Sequence, residues 1–238
     1  MRIHYEVFGQ GQPLLLLHGN GEDLHYFDRQ IEALSEEYLL IAPDMRGHGK
    51  SELGEEPLDF SLFAADVCAV LDELGVERAH VLGFSDGGNT AMHLALQYPE
   101  RVGSLILNGA NCFPRGVKTA VQLPVLLGFS LCSLAAFFGR RARKRREILG
   151  LMVHHPRLAF EELARIHSPC LVITGEKDMI KPSHSRAIAA AIPGAEEIVL
   201  PGADHFCAAR RSGDFNAAVL SFLRRHPALP ALRPPAPQ

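Results

Sequence analysis

Six short apolar runs, bounded by glycine, proline or aspartate, organise this sequence. Each run is apolar on both sides, which is typical of a strand that helices cover on both faces. Strands of this kind predict a parallel sheet. The runs are residues 14–17, 38–42, 79–82, 104–107, 170–174 and 197–200.

Stretches with helical spacing of apolar residues alternate with these runs. The alternation predicts an α/β fold with a doubly wound, mostly parallel sheet, whose active site lies beyond the carboxyl ends of the strands. Residues 1–7 alternate polar and apolar side chains like a further strand. The helical stretches are residues 27–35, 62–74, 88–97, 183–191 and 215–223.

Composition limits the partners and the compartment. The chain has 238 residues, 47% of them hydrophobic, which suits one globular domain. A net charge of −3 is too small to steer the whole protein to nucleic acid. Five cysteines without CxxC spacing predict no disulfide framework, and the first residues lack the apolar run of a signal peptide, so we expect a cytoplasmic protein.

Neither G-x-G-x-x-G nor H-E-x-x-H is present, so we expect no cofactor and no metal.

Residues 112–166 interrupt the alternation and divide the core domain into residues 1–111 and 167–225. Residues 119–139 carry no charge, and a basic run, residues 140–146, follows at once. A membrane span is one interpretation, but Pro124, Gly128 and several polar residues argue against it. We predict instead a helical lid over the active site, which leaves contact with lipid open, and a solvated surface for the basic run.

The apolar residues of this lid have two interpretations. They either line the substrate pocket or form the core of the lid, and we favour the lid core. Residues 226–238 are rich in proline and alanine, which predicts a loose tail. The lid residues concerned are Phe129, Leu131, Leu134, Phe137 and Phe138.

The strongest chemical signal is a serine in a glycine-rich turn between a strand and a helix. Gly83-Phe84-Ser85-Asp86-Gly87 follows the run 79–82 and precedes the helical stretch 88–97. Glycines two residues before and after Ser85 allow a sharp turn that exposes the hydroxyl. The pentapeptide alone is weak evidence, because Ser85 would also suit a helix N-cap. The nucleophile interpretation therefore depends on a base and an acid farther along the chain.

A serine nucleophile needs a base and an acid that orients the base. His205 follows the last apolar run, and Asp178 follows the penultimate one. Glu176 and Asp204 are rival acids; Asp204 is adjacent to His205 in sequence, which places it badly for bonding the far ring nitrogen. The order serine, aspartate, histidine is that of the nucleophile-elbow hydrolases.

An oxyanion forms during acyl transfer and needs N–H donors placed in advance. We predict two backbone amides for this role. Asp86 follows the nucleophile at a helix start, and Asn20 lies in the glycine-rich loop after the first buried strand. His18, at the end of that strand, fits a structural role better than that of a base.

These motifs resemble those of the α/β-hydrolase superfamily over nearly the whole chain. The resemblance implies the triad Ser85, Asp178 and His205 and the oxyanion hole at Asn20 and Asp86; it also implies that loop 44–51 is structural, so His48 stays outside the catalytic set. The matching segments are residues 17–21, 44–51, 83–88, 175–178 and 204–205.

The elbow also resembles that of the valacyclovirase (biphenyl hydrolase-like) enzymes. In those enzymes the acidic residue after the nucleophile helps to hold an ammonium group, which would make Asp86 a substrate ligand. We favour the simpler interpretation, in which a carboxylate in a first helical turn is stabilised by the helix dipole. Asp86 thus stays a candidate substrate contact, and Phe84, also in the elbow, is the second.

The sequence thus predicts hydrolysis of a small carboxylic ester through an acyl-enzyme on Ser85. The same triad also serves hydrolysis of carbon–carbon bonds, amides, lactones and amino-acid esters, and perhydrolysis. A third hypothesis is a ligand-binding protein that retains the pocket without turnover. A complete set of nucleophile, base, acid and oxyanion loop disfavours it.

Overall fold

The computed structural model describes residues 1–137 and 139–227. Its seven strands form one sheet in the order β1-β3-β2-β4-β5-β6-β7, in which β1 is antiparallel to β3 and the other pairs are parallel. The mostly parallel sheet that the sequence predicts is confirmed. The strands are β1 Tyr5–Phe8, β2 Gln12–Leu17, β3 Tyr38–Pro43, β4 Ala79–Phe84, β5 Val102–Asn108, β6 Cys170–Gly175 and β7 Glu196–Leu200.

Helices cover both faces of the sheet and bury two apolar clusters. One cluster contains side chains of α2, α3 and α7, and the other contains side chains of α1, α8 and α9. This two-sided cover confirms the doubly wound arrangement. The helices are α1 Asp28–Leu34, α2 Phe60–Glu73, α3 Asp86–Gln97, α4 Thr119–Ala135, α5 Arg140–His154, α6 Phe160–Leu163, α7 Pro182–Ala191, α8 Cys207–Arg210 and α9 Ser212–Arg225.

The predicted strand at 197–200 is present, but its burial differs from the prediction. We expected burial on both faces, whereas β7 is an edge strand and Val199 is 49% exposed. Edge strands have a neighbour on one side only, which the apolar run does not reveal.

The register of the central strands places their carboxyl ends together. Leu17 pairs with Gly83, Phe84 with Asn108, and Asn108 with Ile173. Loops that leave these ends therefore meet at one edge of the sheet, where an α/β protein holds its ligand.

The segment between β5 and β6 is helical, and α4 and α5 pack against each other in opposite directions. The Gln122 amide donates to the Met152 carbonyl, and the Arg143 guanidinium donates to the Ala136 carbonyl. Within the described residues, no helix combines the length and the apolar content needed to cross a bilayer.

The interpretation of the apolar lid residues as a lid core is wrong for three of them. Leu131 is 59% exposed, Leu134 67% and Phe137 83%. Helix α4 packs mainly against α5 and has no buried residue of its own, so its other face meets solvent. Phe129 does pack inward, against His154. Phe138 lies outside the described residues, as do residues 228–238 of the predicted tail.

Candidate active site

Ser85 lies at a sharp turn between β4 and α3 in a strained backbone conformation. Its φ of 52° and ψ of −115° make it the one non-glycine residue with positive φ in the described part of the chain. Such a conformation costs on the order of 1–3 kcal/mol and is concentrated at functional sites. The Ser85 amide donates to the Asn108 carbonyl at 2.8 Å, which fixes the turn to β5.

Two glycines allow this turn because no side chain fits beside it. A Cβ at Gly83 would lie 2.3 Å from the Gly87 carbonyl oxygen, and one at Gly87 would lie 1.9 Å from the Leu17 carbonyl oxygen. The start of α3 therefore lies closer to the end of β2 than it could if a residue with a Cβ stood at position 87.

The structure brings Ser85, His205 and Asp178 into one hydrogen-bonded chain. His205 Nε2 lies 3.1 Å from Ser85 Oγ, and His205 Nδ1 lies 2.6 Å from Asp178 Oδ1. Asp178 Oδ1 also accepts from the Ile180 amide at 2.9 Å, and His205 and Asp178 are both buried. With Nδ1–H donating to the carboxylate, Nε2 is free to accept the serine proton.

The rival acids point elsewhere. Glu176 accepts from the Gly202 amide at 2.7 Å. Asp204 accepts from the Phe206 amide at 3.0 Å and pairs with Arg210 at the surface. Asp178 is thus the carboxylate that bonds His205 among the described residues.

Gly109, which the sequence analysis missed, makes room for the imidazole. Its φ is +62°, and a Cβ there would lie 2.7 Å from His205 Cε1 and 3.4 Å from Asp178 Oδ2. A glycine directly after a buried strand is the signal that points to such a close approach.

The two predicted oxyanion donors lie at the ends of adjacent elements. Asp86 is the first residue of α3, and Asn20 lies in the loop after β2. Gly87 allows the start of α3 to lie close to the end of β2, where this loop begins. The Asn20 side-chain amide donates to Asp86 Oδ2 at 2.8 Å and to the Ile148 carbonyl of α5 at 2.9 Å. Helix α5 of the insertion therefore contacts this loop directly.

His18 has a structural environment. Its Nε2 accepts from the Met45 amide at 2.9 Å, so its Nδ1–H donates to the Gly19 carbonyl at 2.8 Å. Burial lowers the pKa of His18 to about 4, which keeps the ring neutral. These contacts support the structural role that we expect for it.

The Asp86 carboxylate is buried and already occupied on both oxygens. Oδ2 accepts from Asn20, and Oδ1 accepts from the Asn89 side chain at 3.2 Å. The residue is 7% exposed, and burial raises its pKa to about 6. This environment favours a structural carboxylate over a ligand for a substrate ammonium group.

Replacing Asp86 by asparagine should change how stability depends on pH. An acid whose pKa rises from 3.8 to about 6 on folding binds its proton more tightly in the folded state, so the wild type loses stability as pH rises through this window. Asparagine does not titrate. The free energy of unfolding of the wild type, minus that of Asp86→Asn, should therefore fall by about 3 kcal/mol between about pH 3 and pH 7.

Urea unfolding of both proteins across this range measures the difference. Glu22, whose pKa burial raises to about 7, titrates in both proteins and cancels. A difference that stays constant with pH would contradict the buried, desolvated position of Asp86.

Phe84 lies beneath the triad rather than against the substrate. Its ring is 1% exposed, stacks on Tyr26 at 4.1 Å and lies 4.9 Å from the His205 ring. The predicted substrate contact is therefore wrong in this structure, because the side chain of the residue before the nucleophile points into the core. Phe84 instead supports the imidazole.

Glu22 is a further site residue that the sequence analysis missed. Its carboxylate accepts from the Gly19 amide at 3.3 Å, and its burial beside the oxyanion loop raises its pKa. The signal was present, since Glu22 directly follows the glycine-rich loop 19–21. No three His, Cys, Asp or Glu side chains are grouped as metal ligands in residues 1–137 and 139–227.

Known proteins resemble this chain over most of its length. The sequence model of the alpha/beta hydrolase fold family matches residues 12–153. A putative carbamate hydrolase, RutD, of Azorhizobium caulinodans is 32% identical over 92% of this chain and 94% of its own length. The crystal structure of the enol-lactonase from Burkholderia xenovorans LB400 superposes with a TM-score of 0.76 at 26% identity, covering 93% of this chain and 96% of that one.

A longer relative matches as well. The dihydrolipoyllysine-residue acetyltransferase component of the acetoin cleaving system of Pseudomonas putida is 32% identical over 93% of this chain, which spans 66% of that protein's length. These matches and the fold define an α/β hydrolase. The chain belongs to the alpha/beta hydrolase fold family, and hydrolysis is the chemistry that this membership supports.

Proposed function

We propose that the protein hydrolyses small carboxylic esters through an acyl-enzyme on Ser85. The observation that carries this proposal is the hydrogen-bonded chain from Ser85 Oγ through His205 to Asp178, joined to the strained turn at Ser85. A serine positioned in this way attacks a carbonyl carbon.

In the first half-reaction, His205 Nε2 takes the Ser85 proton as Oγ attacks the ester carbonyl. The carbonyl oxygen gains a negative charge, which the amides of Asn20 and Asp86 stabilise. The buried Asp178 carboxylate stabilises the imidazolium. His205 then returns the proton to the departing alcohol, and the acyl group stays on Ser85.

In the second half-reaction, a water replaces the alcohol. His205 takes a proton from that water, which attacks the acyl-enzyme, and the proton goes back to Ser85 Oγ as the carboxylic acid leaves. Helix α5, whose Ile148 carbonyl bonds Asn20, covers the oxyanion loop and fits the role of a lid.

The environment of Asp86 sets a preference among substrates. Because amides occupy both carboxylate oxygens, we propose neutral acyl groups rather than amino-acid esters. Lactones, which are cyclic esters, are the second candidate, and the similarity to an enol-lactonase structure favours them. The five free cysteines support the cytoplasm as the proposed compartment.

Covalent labelling tests the proposal. A fluorophosphonate should add one adduct per chain, and peptide mass spectrometry should place it on Ser85. The Ser61→Ala variant is a matched control, because Ser61 Oγ also contacts a histidine, His93, at 3.2 Å but lies at the start of a helix without an elbow. Ser85→Ala should remain unlabelled and Ser61→Ala should label fully; an adduct at another residue would refute the proposal.

A further inference from the structure

Helix α4 carries an apolar face that nothing in the described structure covers. Four of its exposed leucines follow one another at spacings of four, four and three residues, so they share one side of the helix, and the exposed Phe137 follows just after the helix ends. The helix has no charged residue between Thr119 and Ala135. We name this surface the outer lid face; its residues are Leu123, Leu127, Leu131, Leu134 and Phe137.

The opposite side of α4 already has a partner. Phe129 contacts His154, the Gln122 amide donates to the Met152 carbonyl, and a Cβ at Gly128 would lie 3.6 Å from Leu149 Cδ1. The side of α4 that packs against α5 is therefore not the outer lid face, which stays exposed. A contiguous exposed surface of large apolar side chains marks a site of interaction.

A dense set of cations adjoins the carboxyl end of this face. Residues 140–146 contain six basic residues, and those that the structure shows as exposed include Arg141, Lys144 and Arg145. No acidic residue occurs from residue 112 to residue 146. The first one, Glu147, pairs with Arg146. Within the described residues, Glu147 therefore pairs with Arg146 rather than with Arg141, Lys144 or Arg145.

Cations also occur at the amino end of the same face. A cavity of about 900 Å³ opens beside Leu123 and Leu126, and its walls include Arg115, Arg157 and Lys181. The apolar surface of the insertion is therefore bordered by positive charge at both ends.

We propose that the outer lid face docks on the surface of an anionic lipid bilayer. An apolar helix face inserts at the boundary between headgroups and acyl chains, and nearby arginines and lysines bind anionic headgroups; the two attractions add. The charges argue against a second copy of this chain as the occupant. The same surface of a copy would bring a second basic run, which repels the first, and no acidic patch to pair with it. The proposal does not depend on hydrolysis at Ser85.

Vesicle sedimentation tests this proposal with the full chain. We expect binding to phosphatidylcholine vesicles that contain about 30% phosphatidylglycerol to be at least about tenfold tighter than to pure phosphatidylcholine, and to weaken as salt is added. Leu127→Gln/Leu131→Gln should lose at least about tenfold in affinity for the anionic vesicles, because two apolar side chains leave the interface. Arg141→Gln/Arg145→Gln should lose most of the preference for phosphatidylglycerol.

The matched control is Val199→Gln, which removes a half-exposed apolar side chain from the edge strand β7. It should bind vesicles as the wild type does. Circular dichroism checks that each variant is folded, and fluorophosphonate labelling at Ser85 tests the proposed function separately. Absence of wild-type binding to anionic vesicles would overturn the proposal, as would equal binding by the leucine variant. A third result would also overturn it: light scattering shows a dimer that Leu127→Gln/Leu131→Gln dissociates, and the wild type does not bind vesicles.

Discussion

Ser85→Ala should lower kcat for p-nitrophenyl acetate by on the order of 10⁶-fold, which leaves a residual rate above that without enzyme. The variant keeps the oxyanion loop and the His205–Asp178 pair, so it keeps the groups that stabilise negative charge. It lacks the oxygen that becomes acylated. Rate measurements under saturating substrate, with the spontaneous hydrolysis subtracted, check this expectation.

Ser61→Ala provides the comparison. Ser61 contacts His93 at 3.2 Å, but the other nitrogen of that histidine, Nε2, is buried without a hydrogen-bond partner in the described residues. No carboxylate therefore orients this histidine as Asp178 orients His205. Turnover within about twofold of wild type is expected for Ser61→Ala. If Ser85→Ala also retained wild-type turnover, the acyl-enzyme mechanism would be wrong.

Most of the fold was predictable because the sheet is buried on both faces. The apolar runs at 14–17 and 79–82 lie within β2 and β4, and burial is the property that a sequence pattern reports most directly. The position of β7 at the edge was not predictable, because the run at 197–200 does not encode how many neighbours it has. The exposed face of α4 was missed for the same reason, since an apolar helix gives no sign of whether a partner covers it.

The candidate site was partly predictable. Ser85, Asp178 and His205 each follow a strand, and the parallel topology brings such loops together. Contacts between distant segments were not predictable, such as the Asn20 side chain on the Ile148 carbonyl or Gly109 against His205. They depend on how the insertion and the loops pack.

Side-chain direction was also beyond the sequence. The family resemblance made Asp86 a candidate substrate contact, and Phe84 was predicted as a second one. The turn at Ser85 instead directs the Phe84 ring into the core and the Asp86 carboxylate onto two asparagine side chains. Loop 44–51, in contrast, has the structural role that the resemblance implies: Asp44 accepts from the Leu24 amide at 2.9 Å and the Lys50 amide at 2.8 Å.

Asp178→Asn should lower kcat for the same ester by about 10⁴-fold, with little change in the structure of the site. The carboxylate holds the proton of His205 on Nδ1 and leaves Nε2 free to accept from Ser85. An asparagine that donates its amide to Nδ1 would hold the proton on Nε2, where it blocks proton transfer from the serine. The variant also has no charge to stabilise the imidazolium. Steady-state kinetics measure the loss, and full but slower fluorophosphonate labelling would show that Ser85 is still in place.

The two rival carboxylates supply matched controls for this variant. Glu176→Gln and Asp204→Asn make the same chemical change within the loops that carry Asp178 and His205. The structure directs Glu176 to the Gly202 amide and Asp204 to Phe206 and Arg210, so neither variant should lose more than about threefold in kcat. A loss near 10⁴-fold in Asp204→Asn, with Asp178→Asn close to wild type, would reassign the acid of the triad. Because the buried 2.6 Å contact belongs to Asp178, we expect the loss there.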